Sequence, residues 1–312
     1  MTTAGPPTSS EAACRAAAEE ASAFGHPAVP PDATAVYGGH PDQVVDFYRP
    51  RPAGDRPAPL VALLHGGAWR AAYDRAYVSP LAAHLAGRGF AVASVEYRRG
   101  PLVLGGEGAA GEEWTGSGGQ RPAPAGRWPE TFDDAAAALD ALPGLAVAAL
   151  GERAVDPGRT VVVGHSAGGQ LALWLAARHL LPADSPWHLP APPPLRGVVA
   201  LAPVADFASA LRLHVCWDAV ADLLGGREHL AERAPYADPA ALLPTGIATT
   251  VVHGTADTEV PPQVSAAFVK AAGAAGEEPV TVWLRGTGHF PLIDPAAPAC
   301  AAVVEEVAQL AW

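Results

Sequence analysis

A serine framed by small residues is the sharpest chemical signal in this chain: Gly164-His165-Ser166-Ala167-Gly168-Gly169 follows the apolar run TVVVG and leads into QLALWLAAR. A serine hydroxyl is a weak nucleophile, so it must stand exposed, within reach of a base and beside dipoles that can meet a developing negative charge. Small flanking residues allow a sharp strand-to-helix turn that leaves such a side chain at the edge of a sheet. A plain glycine turn is the other reading, but strand before and helix after is the context that a nucleophilic Ser166 requires.

Directly after the run LVALL comes His65-Gly66-Gly67-Ala68-Trp69. Glycines there let backbone N–H groups face a cavity, and Gly66, Gly67, Ala68 and Ala167 are the candidate donors of an oxyanion hole; the blander alternative is an ordinary turn. His289, in GTGHF after the last apolar run, is the candidate base, because a loop there can reach back toward Ser166. His65 is better suited to bracing the backbone, and His165 and His253 fall within strand-end motifs. Asp257, in HGTADTEVP, is the candidate carboxylate to accept the Nδ1–H of His289, fix its tautomer and stabilise the imidazolium. Asp206 also ends a strand ahead of His289 and is its rival, whereas Asp294 lies too near His289 along the chain. Histidines and carboxylates do not cluster at ligand spacing, and neither HExxH nor a Gly-rich phosphate cradle is present, so neither metal nor cofactor is expected.

Residues so far apart in sequence must be brought together by a regular scaffold. ATAVYGG and QVVDFYRP read as two short strands of an antiparallel edge hairpin. From LVALLHGG onward, apolar runs such as FAVASVEY, TVVVGHS, LRGVVALAP, IATTVVHGT and VTVWLRGTGH alternate with helical stretches such as SPLAAHLAGRG and PPQVSAAFVKAAGAAG. This alternation predicts an α/β fold, a mostly parallel sheet with helices on both faces. Residues 1–30 read as an N-terminal extension whose Ala/Glu-rich helix over 10–24 looks dispensable, and residues 31–312 as one catalytic domain.

Two segments break the rhythm. Residues 100–127 are Gly/Ala/Pro/Glu-rich with few apolar anchors, and read as a flexible insertion rather than a functional loop. Over 206–243, Leu211, Val215, Val220, Leu223 and Leu224 at near-helical spacing predict one or two amphipathic helices, serving as lid or pocket wall, or simply packing. Trp69 and Trp217 are candidates to line an apolar substrate pocket, and equally candidates for the core.

Of 312 residues, 49% are hydrophobic and 17% charged, a balance that predicts a packed globule. The formal charge of −12, with no Lys/Arg run, disfavours nucleic acid and anionic membrane as partners. The segment MTTAGPPTSSEAACRAAAEE lacks the positive start and unbroken apolar stretch of a secretion signal, and no later run is long enough to span a bilayer; a cytoplasmic protein is expected. Cys14, Cys216 and Cys300 lie far apart with no CxxC pair, which suggests neither a disulfide framework nor a zinc site.

At HGGAW, GHSAGG, HGTADTEVP and GTGHF the sequence resembles the bacterial esterase and arylformamidase branch of the α/β-hydrolases, related to the hormone-sensitive lipase group, from about Ala33 to the C-terminus. The resemblance implies the α/β-hydrolase fold with an eight-stranded sheet, and hydrolysis of a carboxylic ester or activated amide of a small molecule. By motif it carries the triad onto Ser166, Asp257 and His289, and the oxyanion donors onto Gly67, Ala68 and Ala167. Two departures stand out: kynurenine formamidases usually place an aromatic residue where Ala68 stands, and 100–127 looks like an insertion. The expected mechanism is two-step acyl transfer, with His289 deprotonating Ser166 and water resolving the acyl-enzyme. A peptidase or acyltransferase using the same residues, and a non-catalytic binding protein of this fold, are the other readings. Substrate identity and oligomeric state are not legible in the sequence.

Overall fold

In the computed structural model, which describes residues 9–100 and 126–312, a helix, α1 (Ser9–Phe24), precedes an antiparallel pair, β1 (Ala33–Val36) and β2 (Val44–Tyr48). The hairpin read from the sequence is therefore present. Strands and helices then alternate as β3 (Ala58–Leu64), α2 (Ser79–Gly87), β4 (Ala91–Val95), α3 (Glu130–Leu150), β5 (Val155–His165), α4 (Ala167–Ala176) and β6 (Gly197–Leu201). Three short helices, α5 (Phe207–Arg212), α6 (Ala219–Leu223) and α7 (Leu230–Ala237), come before β7 (Thr249–Gly254), α8 (Pro262–Ala274), β8 (Val280–Leu284) and α9 (Pro298–Ala311).

The strands form one eight-stranded sheet in the order β1-β2-β4-β3-β5-β6-β7-β8. β2 is antiparallel to both neighbours, and every pair from β4 to β8 is parallel. Because side chains alternate across a strand, the valine-rich runs feed two cores. Leu60, Ala62, Leu64, Val162, Val198, Ala200 and Val251 face one layer with α3, α4 and α8, while Val61, Leu63, Val161, Val163, Val199, Leu201 and Val252 face the other with α2 and α9. The chain order reverses at β3, which lies between β4 and β5. In open parallel sheets, ligand clefts form beyond the carboxyl ends of strands at such a reversal. The loops after β3, β5, β7 and β8, which carry Gly67, Ser166, Asp257 and His289, all leave the sheet at that end.

α3 runs through an internal Pro143-Gly144 pair. Phe132, Ala135, Ala138, Leu142, Ala146 and Leu150 form a continuous buried stripe at helical spacing, and burial of that stripe outweighs the local breakers. The near-helical spacing in 206–243 resolves into three helices rather than one or two. Of the expected insertion at 100–127, residues 101–125 lie outside the described residues. Its bordering glycines are described, and the N–H groups of Gly100 and Gly126 both donate to the Trp69 carbonyl, at 2.8 and 2.7 Å. Among the described residues no helix is long and apolar enough to cross a membrane.

Candidate active site

The turn after β5 shows why its residues are small. A Cβ on Gly164 would overlap the Gly168 carbonyl, and one on Gly168 would overlap the Leu64 carbonyl, both rigid backbone. Between them Ser166 adopts φ 56° and ψ −116°, a conformation that disfavours any residue with a side chain. It is held there from several sides: its N–H donates to Leu201 O at 2.8 Å, and its carbonyl accepts from Gln170 at 3.1 Å and Val204 at 3.3 Å.

His289 follows β8 and is almost fully buried. Its Nδ1 lies 2.6 Å from Asp257 Oδ2, while Asp257 Oδ1 accepts the N–H groups of Glu259 and Val260, both at 2.9 Å. Asp206, the rival carboxylate, instead caps α5 by accepting the Ser209 N–H at 2.6 Å. Burial works to raise the Asp257 pKa, yet His289 and His253 overcome it and hold the carboxyl well below its usual range. Burial would conversely lower His289, but the Asp257 carboxylate, aided by Glu259 and Glu20, raises it. A charged carboxylate facing a basic imidazole is what a proton-accepting histidine needs.

His165 ties this pair to the serine. Its ring packs on that of His289 with centroids 4.4 Å apart, and its Nε2 lies 3.2 Å from the His289 carbonyl. Full burial, then the neighbouring His289, push its pKa well down, so it meets the base as a neutral ring. Among the described residues no hydrogen bond joins Ser166 Oγ to the His289 ring. Such contacts are commonly long before substrate arrives and tighten in the Michaelis complex.

The loop after β3 bends under similar constraint, with positive φ at Gly67 (95°), Ala68 (51°) and Trp69 (54°). The N–H groups of Gly67, Ala68 and Ala167 have no acceptor among the described residues, as donors reserved for an incoming oxyanion should not. Gly66 does not fit that expectation, because its N–H donates to the Tyr77 hydroxyl at 2.6 Å and so is already engaged. Gly66 matters instead as a close neighbour: a Cβ there would come within 3.0 Å of Ser166 Cβ. His65 braces the loop as expected, its ring nitrogens 2.8 Å from Gly66 O and 2.8 Å from Glu96 Oε1 and its face stacked on Tyr97.

The segment expected to be dispensable packs against the domain: Ser22 Oγ of α1 donates to Asp294 Oδ2 at 2.6 Å, His26 Nε2, just past α1, lies 2.7 Å from Asp294 Oδ1, and the Phe24 ring packs on Tyr73, Tyr77 and Phe290. A cavity of about 200 Å³ beside His289 is walled by alanines of α1 with Glu19, Glu20, Glu259 and Phe290. Neither Trp69 nor Trp217 lines it: Trp69 is fully buried in the core, one of the two places considered for it, and Trp217 is 49% exposed.

A family model described as the alpha/beta hydrolase fold matches residues 120–289, more than half of the chain. The chain belongs to the α/β-hydrolase family. Over 66 residues this α/β-hydrolase is 44% identical to a probable isoprenylcysteine alpha-carbonyl methylesterase of Arabidopsis thaliana, covering 21% of the chain and 15% of that relative. A rice relative of the same description (Oryza sativa subsp. japonica) is 41% identical over 66 residues, 21% of the chain and 16% of the relative. Among solved structures the fold is similar to esterase B from Lactobacillus rhamnosis (TM-score 0.68, 19% identity, covering 96% of this chain and 91% of that one). It is also similar to a truncated carbohydrate esterase from gut microbiota (TM-score 0.67, 19% identity, 89% and 96%). A butyrate-bound esterase of Thermogutta terrifontis shares the fold as well (TM-score 0.61, 21% identity, 89% and 92%).

Proposed function

We propose that this α/β-hydrolase is a serine esterase that cleaves a small carboxylic ester, or an activated amide such as an arylformamide, through an acyl-enzyme. The observation that carries the reading is the buried His289–Asp257 pair at 2.6 Å, packed through His165 against a serine held at positive φ. His289 Nε2 takes the Ser166 hydroxyl proton as Oγ bonds to the acyl carbon, and Gly67, Ala68 and Ala167 N–H groups receive the charge on the carbonyl oxygen. The tetrahedral species collapses as the imidazolium returns its proton to the departing alcohol or amine. Water then repeats the sequence on the acyl-enzyme and releases the acid. The family, the short identity to methylesterases and the esterase neighbours support ester hydrolysis as the activity class. A cytoplasmic setting belongs to the same proposal, supported by three free cysteines.

A panel of p-nitrophenyl acyl esters of graded chain length, with N-formylkynurenine alongside, tests the assignment. Hydrolysis is expected to vanish in Ser166→Ala, and a fluorophosphonate probe to label the parent but not that variant. Full activity in a folded Ser166→Ala protein overturns the reading.

A further inference from the structure

Asp257 serves two imidazoles. Besides His289, the ring of His253, at the end of β7 and fully buried, brings Nε2 within 3.2 Å of the same Oδ2. That Nε2 also lies 2.9 Å from the Val260 carbonyl, and its Nδ1 lies 2.7 Å from the hydroxyl of Ser265 in α8. A carbonyl can only accept, so Nε2 of the neutral ring carries the hydrogen, bonded to Val260 O with Asp257 Oδ2 as the longer second contact. Nδ1 is then the acceptor, and the Ser265 hydroxyl donates to it. Trp283 of β8 covers the ring, with centroids 6.0 Å apart and planes 26° from parallel.

We propose that His253 is a positioning residue: locked in one tautomer by the Val260 carbonyl, it shares Asp257 Oδ2 with His289 and so sets how strongly that carboxylate holds the base. A carboxylate oxygen that accepts from two donors is less basic than one that accepts from a single donor. Loss of the His253 donor therefore leaves Oδ2 to His289 alone and raises the affinity of His289 for its proton. Asp257 does not swing away, because its Oδ1 keeps the Glu259 and Val260 N–H groups. Other groups facing His289 are Glu259 from the loop after β7, Glu19 and Glu20 from α1 and the neutral His165 from β5. They are unchanged by this substitution. The inference rests on the proposed triad for its catalytic meaning, while the Asp257–His289 contact it modifies is independent of that role.

The test titrates the His289 Cε1 proton by NMR in the full chain and compares it with the pH profile of kcat/KM on a p-nitrophenyl ester. His253→Asn places its amide at the level of Nδ1, too short to reach Asp257, and is expected to raise the His289 titration by about 0.5–1 pH unit. That shift lowers kcat/KM on the acid side about three- to tenfold, with a smaller change on the plateau. His253→Gln places an N–H donor at the level of Nε2 and is expected to return the titration to the parent value. Ser265→Ala, which removes the hydroxyl donor to Nδ1 and so weakens the Nε2–H as a donor while leaving the carboxylate contact in place, shifts the titration in the same direction as His253→Asn by a smaller amount. It serves should His253→Asn fail to fold. Parent titration in folded His253→Asn or Ser265→Ala, or a Gln variant that behaves as Asn, overturns the proposal. Persistent activity in Ser166→Ala sinks the esterase reading separately and leaves the NMR result standing.

Discussion

Glu259 and Glu20 stand beside the proposed base without counter-cations of their own among the described residues, and burial raises the pKa of each. Their charge in turn favours the imidazolium of His289. Glu259→Gln removes one negative charge, so the His289 pKa falls, and the acid limb of kcat/KM moves down by ~0.5 pH unit. A pH–rate profile from pH 4 to 9 reads this directly, and an upward shift contradicts it. Ser166, Asp257 and His289 stood out as candidates in the sequence because each sits in a short motif that ends a strand. Gly66 was not separable from Gly67, since a glycine pair reveals freedom to turn but not that a tyrosine hydroxyl eleven residues later occupies one amide. The second histidine of the carboxylate had a faint signal, four residues ahead of Asp257 in HGTAD, yet only the path of β7 and α8 shows that its ring turns toward the acid.

Alternation of apolar runs with amphipathic stretches made the strands and their helices readable, because both periodicities are local. What α1 packs against was not readable, since its polar ties, to Gly288 and Asp294, lie more than 260 residues away. Phe24 is half-buried among Tyr73, Tyr77 and Phe290, so it links this helix both to the tyrosine that engages Gly66 and to the residue after His289. Phe24→Ala is expected to lose ~2 kcal/mol of stability, about half the cost of truncating a fully buried phenylalanine. It should also raise KM more than it lowers kcat, because it loosens a wall of the cavity and leaves the His289–Asp257 contact intact. Chemical denaturation and steady-state kinetics on one ester check both parts; parent values for both contradict the assigned wall.

Across the whole molecule, a parallel sheet whose order reverses at β3 gathers loops from four strands at one rim. Behind the first of these loops lies a buried charge cluster in which Glu96 Oε1 meets His65 at 2.8 Å and Arg99 at 2.6 Å. Burial would raise Glu96, but His65 and Arg99 outweigh it and bring its pKa down to about 2 from 4.5. A carboxyl with a depressed folded pKa contributes stability that is complete above its unfolded value and lost as pH falls through the folded one. Thermal unfolding followed between pH 7 and 2 is therefore expected to weaken below about 4.5, and Glu96→Gln to flatten that part of the curve while lowering Tm at neutral pH. Equal slopes in parent and variant contradict this role for Glu96.

The tie between Ser22, His26 and Asp294 also bears on how the protein is built during translation. Residues 9–24 precede residues 288–294 by the whole β/α succession, so Glu19 and Ser22 of α1 meet Gly288 and Asp294 only after all eight strands have been made. This side of the cleft thus closes only after β8 has been made. A nascent chain halted before that point would hold the serine elbow yet lack both the histidine and the helix berth beside it.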